Sequence, residues 1–294
     1  MTMSRPQRTR QYNSHTSVSQ VWDRFEQRSG DVFVCTPPKC GTTWMQTICG
    51  MLIFGDPSVN PGNGTTSRWL DSAFNDQDAL LEFLAAQTHR RYIKTHTPLD
   101  GITYDDTCIY LAVYRHPIDA YFSGLNHTKN RKGKSASPPV TQDVNDAFQT
   151  WVQTPTSLTE DIGDSLESLV VHYRSFATWR ALSNIHIFHY ADMTRDLRHT
   201  VSAVSDALKC AHYDELIDAI TSAATFSKMK TNAAKYAPSA DRGIWKDNAQ
   251  FFESGTSNKW EGVLNDASVS MYQSRMGGLL DASEQAWFEF GSAG

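Results

Sequence analysis

A chain of 294 residues, 40% hydrophobic and 20% charged, has room for one large α/β domain or two small ones around an ordinary core. Its net charge of -5 and pI near 6.0 disfavour a nucleic-acid partner, and no apolar run approaches the roughly 18 residues of a membrane span. Five cysteines (Cys35, Cys40, Cys49, Cys108 and Cys210) form no CxxC pair and leave an odd one out, which suits reduced thiols in a cytoplasm.

Residues 1–20 carry arginine but no apolar stretch, so they are no secretory signal. They are expected to be a polar, poorly ordered lead-in to a single domain over residues 21–294. Residues 32–36 are apolar and β-branched, and read as a buried strand. That strand runs into Pro37-Pro38-Lys39-Cys40-Gly41-Thr42-Thr43-Trp44, and Trp44, Ile48, Met51 and Leu52 then follow a helical period. Gly41 tolerates the positive φ that wraps backbone around an anion. The amides of residues 41–44 then point out of a helix N-terminus, where the dipole favours negative charge, with Lys39 adding a full positive charge. The GxxxxGK[ST] loop of nucleoside triphosphatases is absent, since Lys39 precedes the glycine and no Ser or Thr follows it to hold Mg²⁺. Taken alone, the segment is either a phosphate loop or a strand-to-helix turn with an incidental lysine.

Residues 91–96 read as a second strand, on which Lys94 and His96, two apart, share a face. Residues 108–115 make a third strand, ending on Arg115. Residues 129–147 are basic, then Ser- and Pro-rich, without an apolar period; they are expected to be a mobile loop, either a lid or solvent-facing filler. Leu166, Leu169, Val170, Tyr173 and Phe176 form a second helical stripe. A fourth strand follows over residues 185–190, ending on Tyr190, and Leu197, Val201, Val204 and Leu208 form a third stripe. Residues 231–262 are irregular. Strands alternating with helices predict a doubly wound α/β fold with a mostly parallel central sheet. His186 and His189 fall on opposite faces of their strand with no cysteine cluster beside them, so no metal site is expected.

Four blocks in order carry a family resemblance. Pro37–Trp44 resembles the 5′-phosphosulfate loop of cytosolic-type sulfotransferases, usually YPKSGTTW. Residues 91–99, RYIKTHTPL, resemble the family's K-x-H-x-P-L segment, and residues 114–123, YRHPIDAYFS, its R-[ND]-P-x-D-x-x-x-S segment. Residues 188–193, FHYADM, resemble its Y-E-D-M strand end. The resemblance spans about residues 30–290 and leans toward bacterial, particularly actinobacterial, members that act on lipids or glycolipids. It implies transfer of a sulfuryl group from 3′-phosphoadenosine 5′-phosphosulfate to an acceptor hydroxyl: a small hydrophobic alcohol, a phenol or a glycolipid.

The resemblance also implies roles. Lys39 faces the bridging oxygen of the 5′-phosphate, and Lys94 with the amides of Thr42 and Thr43 holds sulfuryl oxygens. His96 is the base, while Arg115 and Ser123 bind the 3′-phosphate. Cys40, Gly41, Trp44, Tyr190, Thr225 and Phe226 complete the nucleotide site, with Trp44, Tyr190 and Phe226 against the purine. The family's C-terminal signature F-[FM]-R-K-G-x-x-G-D-W stands here as Phe251-Phe252-Glu253-Ser254-Gly255-Thr256-Ser257-Asn258-Lys259-Trp260. Gly255 and Trp260 persist, but Glu253 and Ser254 replace the two basic residues, which predicts weak donor binding unless Arg242, Lys246 or Lys259 compensates. The family's dimerisation segment is not evident, so no oligomeric state is implied. Two other readings stand beside this one: a phosphotransferase on the same scaffold, and a degenerate member that binds ligand without turnover.

Overall fold

The structure, a computed structural model, describes residues 5–61, 64–132, 143–252, 255 and 257–292. Four strands, β1 (Val32–Cys35), β2 (Tyr92–Thr95), β3 (Ile109–Tyr114) and β4 (Ile185–His189), form a parallel sheet in the order β2-β1-β3-β4. The helices, in chain order, are α1 (Thr42–Phe54), α2 (Gln77–Ala86), α3 (Pro117–Asn130), α4 (Val144–Gln153), α5 (Leu166–Ala177) and α6 (Tyr190–Arg195). They continue with α7 (Leu197–Ala207), α8 (Asp214–Ala223), α9 (Phe226–Thr231), α10 (Ala233–Tyr236), α11 (Asp266–Leu279) and α12 (Ala282–Phe290).

Alternation along the strands divides the apolar residues between two cores. Val32, Val34, Ile109, Leu111 and Val113 pack under α1, α7 and α8, whereas Phe33, Cys35, Tyr110, Ala112 and Tyr114 pack under α4, α5, α11 and α12. Both faces are therefore covered, which is why β1 and β3 read as unbroken apolar runs. The fold is the doubly wound α/β arrangement that the sequence predicts.

An open parallel sheet forms its crevice outside the carboxyl ends of its strands, where the chain order reverses. Here that point lies between β1 and β3, and the loop over residues 36–41 occupies it. A further segment borders β2: Lys94 N donates to Arg68 O and Leu70 N to Lys94 O, each at 2.9 Å, so Trp69 lies beside Lys94 on the sheet edge.

Two segments differ from expectation. The lead-in is packed from its first described residues: Thr9 N and Arg10 N donate to Asp100 O, Tyr12 is 3% exposed with its hydroxyl on Asp100, and Val18 N donates to Asp71 O. Burying the Tyr12 ring stabilises by roughly 1.5–3 kcal/mol and adds to these hydrogen bonds in holding a strap that composition alone marks as polar. The second segment is residues 129–147. Its ends belong to helices, because α3 continues to Asn130 and α4 begins at Val144, capped by the Asp143 carboxylate and buried through Phe148, Trp151 and Val152. Residues 133–142 lie outside the described residues.

Candidate active site

Strand register assembles the site. Cys35 pairs with Thr95 and Tyr114 with His189, so Thr36 meets His96 on one side of the crevice and Arg115 meets Tyr190 on the other. In the loop between β1 and α1, Lys39 and Gly41 have φ of 66° and 116°. Only glycine adopts the latter readily, and a Cβ on Gly41 would lie 3.3 Å from the Tyr190 ring and 3.4 Å from Val113. Gly41 is also the N-cap of α1, so no side chain caps the first amides of that helix. The Thr42 hydroxyl is buried and, among the described residues, lacks a hydrogen-bond partner. Uncapped amides and an orphaned hydroxyl at one helix N-terminus fit an anion. Thr43 Oγ1 lies one residue further on, while its carbonyl accepts from Thr47.

Cys40 is buried, and burial pushes its thiol up to about 12 despite nearby Arg115 and Lys39. It fills space in the loop and stays a thiol. Trp44 donates its Nε1 to Ala224 O at 2.8 Å and meets Tyr190 at 5.3 Å between ring centroids. That bond ties α1 to the turn holding Thr225, the N-cap of α9, and Phe226. Gly255, at φ +64°, sits on the Phe226 ring; a Cβ there would lie 2.8 Å from three ring carbons. The Arg115 guanidinium covers the Tyr190 ring at 4.4 Å. Trp44, Tyr190, Phe226, Gly255 and Arg115 are thus neighbours along one wall. Glu253 and Ser254 lie outside the described residues.

The opposite wall carries the acid–base groups. His96 is buried, and its Nδ1 donates to Thr36 O. A carbonyl can only accept, so Nδ1 holds the proton and Nε2 keeps its lone pair. Burial, then Lys94, holds the imidazole well below its ordinary 6.5, with the Thr36 bond opposing. His96 is therefore neutral at pH 7 with one free basic nitrogen. Lys94 is brought down to about 8 by burial, partly offset by Asp71. Its Nζ lies 4.4 Å from the Trp69 ring centroid, and His96 meets the same indole edge-on at 4.8 Å. Lys39 Nζ lies over Phe251 at 4.9 Å.

Ser123 is half-buried on α3, one turn from Asp119 and one turn from His127 on the same stripe. Asp119 lies by Arg115, and His127 lies by Lys39 and Lys94. Ser123 therefore stands between the two walls. The sequence reading missed His127, which burial, then Lys39, Arg131 and Lys94, pushes down to about 2 and which faces Trp245 at 4.9 Å. Its helical spacing from Asp119 and Ser123 was the available signal. Trp69, Asp71 and Phe251 were also missed. Asp119 is 3% exposed and accepts from Asn258 N at 2.9 Å, so it is an interior anchor for the segment before Trp260.

Comparison with known proteins places this arrangement. The family model described as the sulfotransferase domain matches residues 29–284. The chain belongs to the sulfotransferase family. Among relatives, the glycolipid sulfotransferase of Mycobacterium bovis is 29% identical, the match covering 96% of this chain and 95% of that one. Rat sulfotransferase 1C2 is 24% identical over 86% of each chain. In fold, this sulfotransferase resembles mouse sulfotransferase SULT7A1 complexed with PAP, at TM-score 0.70, 19% identity and 90% coverage of both chains. It also resembles retinol dehydratase in complex with androsterone and PAP, at TM-score 0.71, 20% identity, 90% coverage of this chain and 84% of that one. Among the described residues no helix is long and apolar enough to cross a membrane, and no three His, Cys, Asp or Glu side chains group to hold a metal ion.

Proposed function

We propose that this sulfotransferase moves a sulfuryl group from 3′-phosphoadenosine 5′-phosphosulfate to the hydroxyl of a glycolipid or other lipophilic alcohol. The observation that carries the reading is His96: a neutral imidazole whose Nδ1 is held by Thr36 O, leaving Nε2 as a base beside two lysines. The donor supplies an activated sulfuryl group on a phosphate leaving group. Around it the chain does the rest. Nε2 of His96 takes the acceptor's proton, while Lys94 and the amides of Thr42 and Thr43 bear charge on the equatorial oxygens. Lys39 bears the charge that develops on the leaving oxygen. Such stabilisation by pre-set donors is the main catalytic term in transfers of this type. Lys39 and Lys94 supply positive charge from the chain itself, so the transfer is expected to need no divalent cation.

Arg115 and Ser123 hold the 3′-phosphate. Tyr190, Trp44 and Phe226 form the purine wall, with Cys40, Gly41, Thr225 and Gly255 shaping it. The glycolipid acceptor rests on the likeness to the mycobacterial glycolipid sulfotransferases. A cytoplasmic site of action fits the five unpaired cysteines, four of them buried. Calorimetry with 3′-phosphoadenosine 5′-phosphate and with ADP tests the donor assignment. Tighter binding of the 3′-phosphorylated nucleotide is expected, and preference for ADP would favour a phosphotransferase.

A further inference from the structure

We propose that Asp71 is a positioning residue for the transfer centre, its buried carboxylate fixing the strand end that carries His96 and setting the field at Lys94. The catalytic meaning of this rests on the sulfuryl-transfer reading; the geometry does not.

Asp71 is fully buried. Its Oδ2 accepts from Thr95 Oγ1 and Thr97 Oγ1, each at 2.6 Å, and from Trp22 Nε1 at 3.1 Å. Its Oδ1 accepts from Trp69 Nε1 at 2.6 Å. Thr95 and Thr97 flank His96, and Thr97 N donates to Thr95 Oγ1 at 3.0 Å, so one carboxylate oxygen fixes the backbone on both sides of the base. The other oxygen holds the indole against which His96 and Lys94 both pack. All of these donors are neutral. A buried carboxylate is costly, but four donors converge on its two oxygens, and a neutral amide could not accept all four without turning its NH2 against one of them. The charge also finds use at Lys94, where Asp71 favours the protonated amine against burial. The other groups around Lys94 are His96 on its own strand, Lys39 from the phosphate loop and His127 from α3. Lys94 pushes both His96 and His127 toward their neutral forms.

The test is competitive acetylation of the intact apo chain with acetic anhydride across pH, reading Lys94 by mass spectrometry. In Asp71→Asn, Lys94 is expected to lose its proton about one pH unit below wild type. Trp22→Phe deletes a donor to the same carboxylate without touching the His96 strand, and should leave Lys94 where it was. In the transfer assay Asp71→Asn should move the alkaline limb of kcat/KM by the same interval and lower kcat about a hundredfold. The Kd for 3′-phosphoadenosine 5′-phosphate should not change. A folded Asp71→Asn whose Lys94 titrates as in wild type overturns the inference, as does an equal shift in Trp22→Phe. Should Asp71→Asn not fold, Thr97→Val decides: a drop in kcat of about tenfold with unchanged nucleotide Kd is expected, and native kcat refutes the role. Acetylation needs no turnover, so a wild-type chain that transfers nothing sinks the functional reading while the Lys94 titration still decides this one.

Discussion

Raising the pH should disable Lys94 long before an ordinary lysine would respond. Burial brings this amine from 10.5 to about 8. A group with that pKa is about 90% protonated at pH 7, half protonated at pH 8 and about 3% protonated at pH 9.5. If the cation holds sulfuryl oxygens, kcat/KM for the donor falls about thirtyfold between pH 7 and 9.5, whereas an exposed lysine would lose almost nothing. The acid side behaves oppositely. His96 lies well below 6.5, so its Nε2 stays unprotonated and adds no limb near pH 6.5. The donor's own 3′-phosphate ionises near pH 6 and must be titrated separately. Bound donor places negative charge beside Lys94 and raises its pKa, so the alkaline limb of kcat should lie above that of kcat/KM. Initial rates from pH 6 to 9.5, with samples returned to pH 7 to confirm recovery, give the profile. A kcat/KM flat to pH 9.5 refutes the placement of a depressed lysine in the transfer step.

Two further outcomes follow from the nucleotide wall. Gly255→Ala forces a Cβ to 2.8 Å from the Phe226 ring at a left-handed φ, so nucleotide affinity should fall about tenfold or more; calorimetry with 3′-phosphoadenosine 5′-phosphate checks it, and native affinity would separate this loop from the purine site. Glu253→Arg with Ser254→Lys restores the family's basic pair. It should tighten that ligand about ten- to a hundredfold per recovered contact, but not the analogue lacking the 3′-phosphate; equal gains for both would remove this segment from 3′-phosphate recognition.

The sheet was legible because buried parallel strands carry continuous apolar runs, and all four expected strands are present. The expected ends ran one residue too far at Thr36, His96, Arg115 and Tyr190, all of which lie just past the ladder. Those are the residues that turn out of the sheet toward the crevice, so the apolar signal and the functional signal overlap there. The β1–α1 turn with its positive-φ Gly41 and the Lys94–His96 pair were legible because one is contiguous and the other alternates along one strand and its end. Asp71 was not. Its burial depends on Trp22, Thr95 and Thr97, brought together by tertiary packing, and nothing local in Trp69-Leu70-Asp71-Ser72 announces it. The strap over residues 5–18 escaped for the same reason, since Tyr12 finds its partner Asp100 far along the chain.

The measurement that tests the central claim most directly is transfer of ³⁵S from labelled 3′-phosphoadenosine 5′-phosphosulfate into a panel of glycolipids, sterols and phenols, with chelator present throughout. Wild-type protein should label at least one hydroxyl acceptor. His96→Ala should transfer about 10²- to 10⁴-fold more slowly, with nucleotide binding unchanged. A His96→Ala variant with native kcat, or a wild-type protein that moves phosphate from ATP only when Mg²⁺ is restored and never moves sulfate, would contradict the account.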